Sequence, residues 1–157
     1  MTVRAGWILE QQGDQGTRRI AISDSAWKSS QNAEDVILNF ASGEAYIVDH
    51  FGRSIVKTTI AEYRKQLPNT GYGNSQVGSL GSVAAISCTV WVAVANQSRG
   101  YESGWASQEG CVTQKIRVAP AYQRAFKDWL RVSDPFGEHG FTLPSVNLVR
   151  CGISTPP

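Results

Sequence analysis

The chain has 157 residues, about the size of one ordinary domain built on a single apolar core. Its 15 Lys and Arg against 13 Asp and Glu give a formal charge of +2, too balanced for a dedicated nucleic-acid binder with its basic stripe. The longest unbroken apolar stretch, residues 90–95, falls far short of the ~20 residues of a membrane-spanning helix, and 15 glycines with five tryptophans suit strands and turns better than a helical bundle.

Alternation of apolar and polar residues marks most of the first third. Gly6-Trp7-Ile8-Leu9-Glu10 opens a strand, Gly13-Asp14-Gln15-Gly16 is a turn cluster, and Arg18-Arg19-Ile20-Ala21-Ile22 returns as the second arm of a hairpin. Val36-Ile37-Leu38-Asn39-Phe40 is a strongly apolar strand. Ser42-Gly43-Glu44 turns it into Ala45-Tyr46-Ile47-Val48-Asp49, and Phe51-Gly52-Arg53 turns again into Ser54-Ile55-Val56-Lys57. This reads as an antiparallel meander. Thr59-Ile60-Ala61-Glu62 then has capping-box spacing, Ile60, Tyr63 and Leu67 share a helical face, and Pro68 ends the helix. Residues 69–82 are glycine-rich and predict a mobile loop.

The second half restarts with a strand over 83–96, where Ile86, Cys88, Val90, Val92 and Val94 share one face and Thr89 and Trp91 the other. Asn96-Gln97-Ser98-Arg99-Gly100 is a turn, and a further strand surrounds Trp105. A second helix near Pro120 carries the stripe Tyr122, Phe126, Trp129 and Leu130, and Asp134-Pro135-Phe136-Gly137 stops it. Phe141-Thr142-Leu143-Pro144 and Val146-Asn147-Leu148 form the last strand, which Pro144 confines to an edge or a bulge. The expected architecture is mainly β with two helices (α+β): one strongly curved antiparallel sheet of about seven to nine strands, an unclosed barrel packed on helices, in a single domain over 1–157.

Chemistry-bearing constellations are sparse. Asp49 and His50 are neighbours on a strand and point to opposite faces, and Glu138-His139 lies in a glycine-flanked turn, so both histidines read as solvated. Gly71-Tyr72-Gly73 with Gly78 lacks the spacing and the Gly-Lys-Ser/Thr ending of a phosphate loop. Asn96-Gln97-Ser98 matches a glycosylation sequon of the kind that arises by chance. Three cysteines without C-x-x-C and two histidines predict no structural metal, and no cofactor motif is present. Cys111 and Cys151, in polar turn-like contexts, are expected to pair in an oxidising compartment, closing a loop worth roughly 4 kcal/mol, while Cys88 stays a buried thiol. Met1-Thr2-Val3-Arg4-Ala5 precedes no apolar stretch of secretory type, which leaves two compartments open: the cytoplasm, or the periplasm or exterior for a mature form with its leader removed.

The order of Gly6-Trp7-Ile8-Leu9-Glu10, Asp35-Val36-Ile37-Leu38-Asn39, Tyr46-Ile47-Val48-Asp49 and Ser54-Ile55-Val56-Lys57 leads into Thr59-Ile60-Ala61-Glu62-Tyr63. Ile86-Ser87-Cys88-Thr89-Val90-Trp91-Val92, Glu102-Ser103-Gly104-Trp105-Ala106-Ser107 and Gly140-Phe141-Thr142-Leu143-Pro144 follow. This series resembles the secreted bacterial relatives of the LolA/LolB lipoprotein-carrier superfamily. The resemblance implies an unclosed antiparallel barrel around helices, with an apolar cavity for acyl chains. The expected function is therefore non-catalytic binding of a hydrophobic small molecule or acyl chain in the bacterial envelope. Trp7, Ile37, Val48, Trp91, Phe126 and Trp129 are expected to line the pocket, with residues 69–82 as a flap at its mouth. Two other classes compete: a protein-binding, inhibitor or immunity-type module, which would present an aromatic sheet face without a cavity, and a small barrel enzyme acting on an apolar substrate, which would turn a polar residue such as Arg53 or Glu102 into the cavity.

Overall fold

The computed structural model describes residues 6–13, 16–67, 74–83, 86–99 and 102–154, and side chains at 6–11, 16–67, 80–81, 86–94 and 108–143. The described residues form two compact units, Met1–Pro68 with Ile116–Trp129, and Asn69–Lys115 with Leu130–Pro157. Each holds one antiparallel sheet, neither closed into a barrel.

The first unit is an up-and-down meander in the order β1-β2-β3-β4-β5-β6. Its strands are β1 (Trp7–Gly13), β2 (Gly16–Ile22), β3 (Ala26–Gln31), β4 (Glu34–Asn39), β5 (Glu44–Asp49) and β6 (Ser54–Thr59). β3 is absent from the sequence reading because Lys28, Ser29, Ser30 and Gln31 mask its alternation. The turn between β3 and β4 has only two residues, Asn32 and Ala33, both at positive φ (50° and 61°), the geometry whose twist matches a two-residue hairpin. Register then sorts every side chain. Trp7, Ile22, Trp27, Leu38 and Ala45 face one another across the sheet, and Ile20 and Val36 extend the same apolar face. Ile8, Ala21, Lys28, Ile37, Tyr46 and Lys57 form the corresponding row on the opposite face.

Helix α1 (Ile60–Gln66) begins where expected: the Thr59 hydroxyl accepts from the Glu62 amide at 3.1 Å. The reciprocal half of the capping box is missing, since the Glu62 carboxylate bonds Lys65 instead, at 2.7 Å. A 3-10 turn (Pro120–Tyr122) leads into α2 (Gln123–Ser133). From α2, Trp129 lies 5.6 Å from the Trp27 ring and stacks on Tyr63 at 5.8 Å, while Phe126 meets Phe40 edge-on at 5.7 Å. Around Trp27 and Phe40 the inner face of the first sheet is thus filled by aromatic side chains, with Phe126 and Trp129 almost wholly buried.

The second unit corrects the expectation of one sheet. Its strands are β7 (Asn74–Val83), β8 (Ile86–Arg99), β9 (Glu102–Thr113) and β10 (Phe141–Ser154), in the order β10-β9-β8-β7. The chain leaves the first sheet after β6 and α1, and β7 pairs with β8 rather than extending the meander. The loop expected over 69–82 is therefore a strand from residue 74 onward, while residues 69–73 lie outside the described residues. Ladder pairing with β8 overrides the poor strand propensity of its glycines. Gly78 falls in the register shift between Val77 and Leu80, and Gly81 sits against the sulfurs of β8 and β9. β10 is an edge strand whose register shifts between Leu143 and Leu148, as Pro144 requires.

The face of β8 opposite its valines is buried as well. Ala93 is fully buried with Val112 and Phe136, and Trp91 packs against that cluster. Gly110 is indispensable there, because a Cβ would come 2.7 Å from the Phe136 ring.

The disulfide joins Cys88 to Cys111, with Cα atoms 5.4 Å apart, and replaces the expected Cys111–Cys151 bridge. Register explains the correction. Cys111 lies opposite Leu143 on β10, whereas Cys151 lies opposite Ala106, five residues back along β9. Five residues of strand span roughly 17 Å, far beyond the ~7 Å limit for a bridge. Cys88, on the adjoining β8, stands diagonally across from Cys111, since Val90 is its direct partner. A buried bridge of this kind is one that an oxidising compartment sustains.

Candidate functional site

Two cavities lie among the described residues of the first unit. One is a groove of about 320 Å³ bounded by residues 6–8, 21–23 and 26–28. Small side chains make it: Gly6, Ala21 and Ala26 leave a depression between β1, β2 and β3. Gly6 also allows β1 to approach, because a Cβ there would meet the Ile22 carbonyl oxygen at 2.7 Å. Ile8, an apolar side chain left 61% exposed, borders the groove beside Ala21 and Lys28. The groove lining is mostly apolar, with the Lys28 ammonium as its charged element.

The second cavity, about 340 Å³, is polar. Arg18, Ser29, Gln31, Asn32 and Glu34 line it over Val36. Arg18 Nε donates to Ser29 Oγ at 3.1 Å. Tyr63 lies within electrostatic reach of the same charges: burial raises its phenol pKa most, Glu34 raises it further and Arg18 opposes them.

On the exposed face of the sheet Asp35 is the hub of a polar cluster. Its Oδ2 lies 3.0 Å from His50 Nε2 and 3.2 Å from Lys28 Nζ. A hydrogen bond from Ser30, then those from His50 and Lys28, hold its pKa down at about 2 against some desolvation. The carboxylate is central here and the histidine peripheral, so the cluster ties β3, β4 and the β5–β6 turn together. His50 finds its partner across the hairpin, not in its neighbour Asp49, whose Oδ1 accepts from the Phe51 and Gly52 amides at 2.9 Å. A depressed carboxylate pKa stabilises the fold above its unfolded value of 3.8, and that contribution disappears as pH falls through about 2. With partial solvent screening the loss is expected to be about 1–2 kcal/mol. Denaturant unfolding at intervals across this range should show it, and Asp35→Asn should flatten that part of the profile; an unchanged profile would remove the cluster from the stability account.

Nearby, Glu44 accepts from the Tyr46 hydroxyl at 2.8 Å and pairs with Lys57 at 2.7 Å, and Lys57 also lies over the Tyr46 ring. In the second unit His139 stacks on Trp91, centroids 3.7 Å apart and planes 8° from parallel, so this histidine is half-buried rather than solvated. Among the described residues no group of three or more His, Cys, Asp or Glu is arranged to hold a metal. No described helix is long and apolar enough to cross a membrane, which leaves strand-built spans unaddressed.

The six residues expected to line one pocket are dispersed. Trp7 borders the apolar groove. Ile37 and Val48 lie on the exposed face, Ile37 in the same cross-strand row as Ile8 and Lys28. Phe126 and Trp129 are buried in the aromatic layer of the inner face, and Trp91 belongs to the second unit. Arg53 is exposed in the β5–β6 turn, and the side chains of Glu102, Asn96 and Cys151 lie outside the described residues, as does Gly71-Tyr72-Gly73. The sequence reading missed Ile8, Ala21 and the polar residues of the second cavity. Their signal was parity: once Trp7 faces inward, Ile8 must face outward. No family model matches this chain, and neither does any curated protein or solved structure.

Proposed function

We propose that the chain is a non-catalytic binder of a hydrophobic ligand, an acyl chain, seated in the groove between β1, β2 and β3. The supporting observation is that groove itself: about 320 Å³, within the range of small-molecule sites, flanked by the exposed Ile8 and by Lys28. Burial contributes about 0.8 kcal/mol per methylene, so a short alkyl segment suffices, and Lys28, though ion-paired with Asp35, keeps further N–H donors for a polar headgroup. The aromatic layer under α2 occupies the inner face around Trp27 and the cavity farther along that face is polar, so an apolar ligand is left this outer groove. A bacterial periplasmic or secreted location, and kinship with the LolA/LolB carriers, belong to the same reading; the oxidised cysteine pair supports the first and the motif order the second.

A fluorescent fatty-acid probe should bind saturably. Ile8→Glu should weaken binding about tenfold or more while leaving the unfolding transition in place, because Ile8 is mostly exposed. Absence of saturable binding, or an unaffected variant, defeats the proposal.

One observation favours a second reading, a protein-binding module. Phe51 in the β5–β6 turn is 89% exposed, and Ile55 and Val56 on the edge strand β6 are 69% and 54% exposed. That reading leads if the probe fails.

A further inference from the structure

The polar cavity of the first unit has a composition that selects among ligands. Gln31 pairs with Glu34 and Ser29 with Val36 across β3 and β4, so these four side chains share one face, and Arg18 reaches them from β2 through Ser29. Val36, only 8% exposed, is the apolar base, and Asn32 forms the lip. One guanidinium and one carboxylate cancel in charge. A simple anion would meet Glu34 and a simple cation Arg18, so neither is favoured. The remaining polar groups, two primary amides and a hydroxyl, both donate and accept. Guanidinium, carboxylate and amide each present two coplanar hydrogen-bonding atoms, a spacing that suits adjacent hydroxyls on a ring. The lip is also held in an unusual conformation: Ala33 carries a Cβ at φ 61°, where a two-residue turn ordinarily takes glycine. That strained turn fixes the backbone positions of Gln31, Asn32 and Glu34.

We infer that this cavity binds a small uncharged polyhydroxylated molecule of monosaccharide size, with Gln31 and Glu34 as its principal hydrogen-bonding residues and Arg18 and Ser29 beneath them. Tyr63, kept as a neutral hydroxyl, lies within the field of the same two charges. The site is separate from the acyl groove and stands or falls independently of it.

The test is a titration of isotope-labelled full-length chain with glucose, mannose and N-acetylglucosamine, and with glycine as a zwitterion, followed by amide shifts. At least one sugar should give saturable shifts centred on residues 18 and 29–34. Gln31→Ala and Glu34→Ala should each weaken it about tenfold, with unfolding midpoints retained, and Lys57→Ala on the opposite face should leave it unchanged. Three results overturn the inference: no sugar saturates, both alanine variants bind as the parent does, or glycine saturates while the sugars do not.

Discussion

Phe126→Ala is expected to destabilise the first unit by about 3–5 kcal/mol, the usual cost of emptying a buried phenylalanine site. Phe126 is 2% exposed and packs edge-on against Phe40, while Trp129, one turn away, touches both Trp27 and Tyr63. Removing the ring opens a cavity beneath a helix that rigid strands cannot follow inward. Since whole domains are stable by only about 5–15 kcal/mol, the variant should stand near its unfolding threshold. Denaturant titration and hydrogen exchange at the β3 and β4 amides would measure it. A loss below about 1 kcal/mol would mean that Phe126 lines a cavity, as the sequence reading expected, rather than the core.

The double variant Cys88→Ala/Cys111→Ala should lose about 3 kcal/mol, given a sequence separation of 23 between the bridged residues. The effect should concentrate in β8 and β9, which the bridge ties together, and in β7, where a Cβ added at Gly81 would lie 3.4 Å from the Cys111 sulfur. Reductant should reproduce the shift in the parent protein and have little effect on the double variant. Three cysteines less one pair leave a single thiol on unfolding, and peptide mapping should assign it to Cys151. A bridged Cys111–Cys151 fragment with reactive Cys88 would contradict the register described above.

The meander β1, β2, β4, β5 and β6 was legible because its strands alternate or, in β4, run continuously apolar, between turns that carry Gly, Asn or Asp. The helices were legible from Thr59, Pro120 and their apolar stripes. β3 was not, since Lys28-Ser29-Ser30-Gln31 looks like loop unless Trp27 is seen to pair with Ile22 and Leu38. β7 was hidden for a different reason: its glycines are tolerated by a ladder that exists only once β8 is in place. The cysteine pairing depended on a register that the shift after Leu143 offsets, which local context cannot reveal. The register separates the expected pocket residues of the first sheet by parity rather than by residue type. Trp7 and Ile37 both looked like pocket walls, but counting through the missing strand puts Leu38, not Ile37, on the Trp7 face.

The aromatic layer has a consequence for biogenesis. The first unit is discontinuous: its sheet ends at residue 59, yet the helix that fills its inner face begins at residue 123. Trp27 must find Trp129 across 102 positions, with the whole of β7, β8 and β9 synthesised between them. Such long-range closure slows folding. At ~5–20 residues per second the meander spends several seconds with Ile20, Ile22, Trp27 and Leu38 uncovered before α2 is made. The nascent chain thus carries a sticky half-sheet for the middle of its synthesis, the interval in which it is most exposed to aggregation.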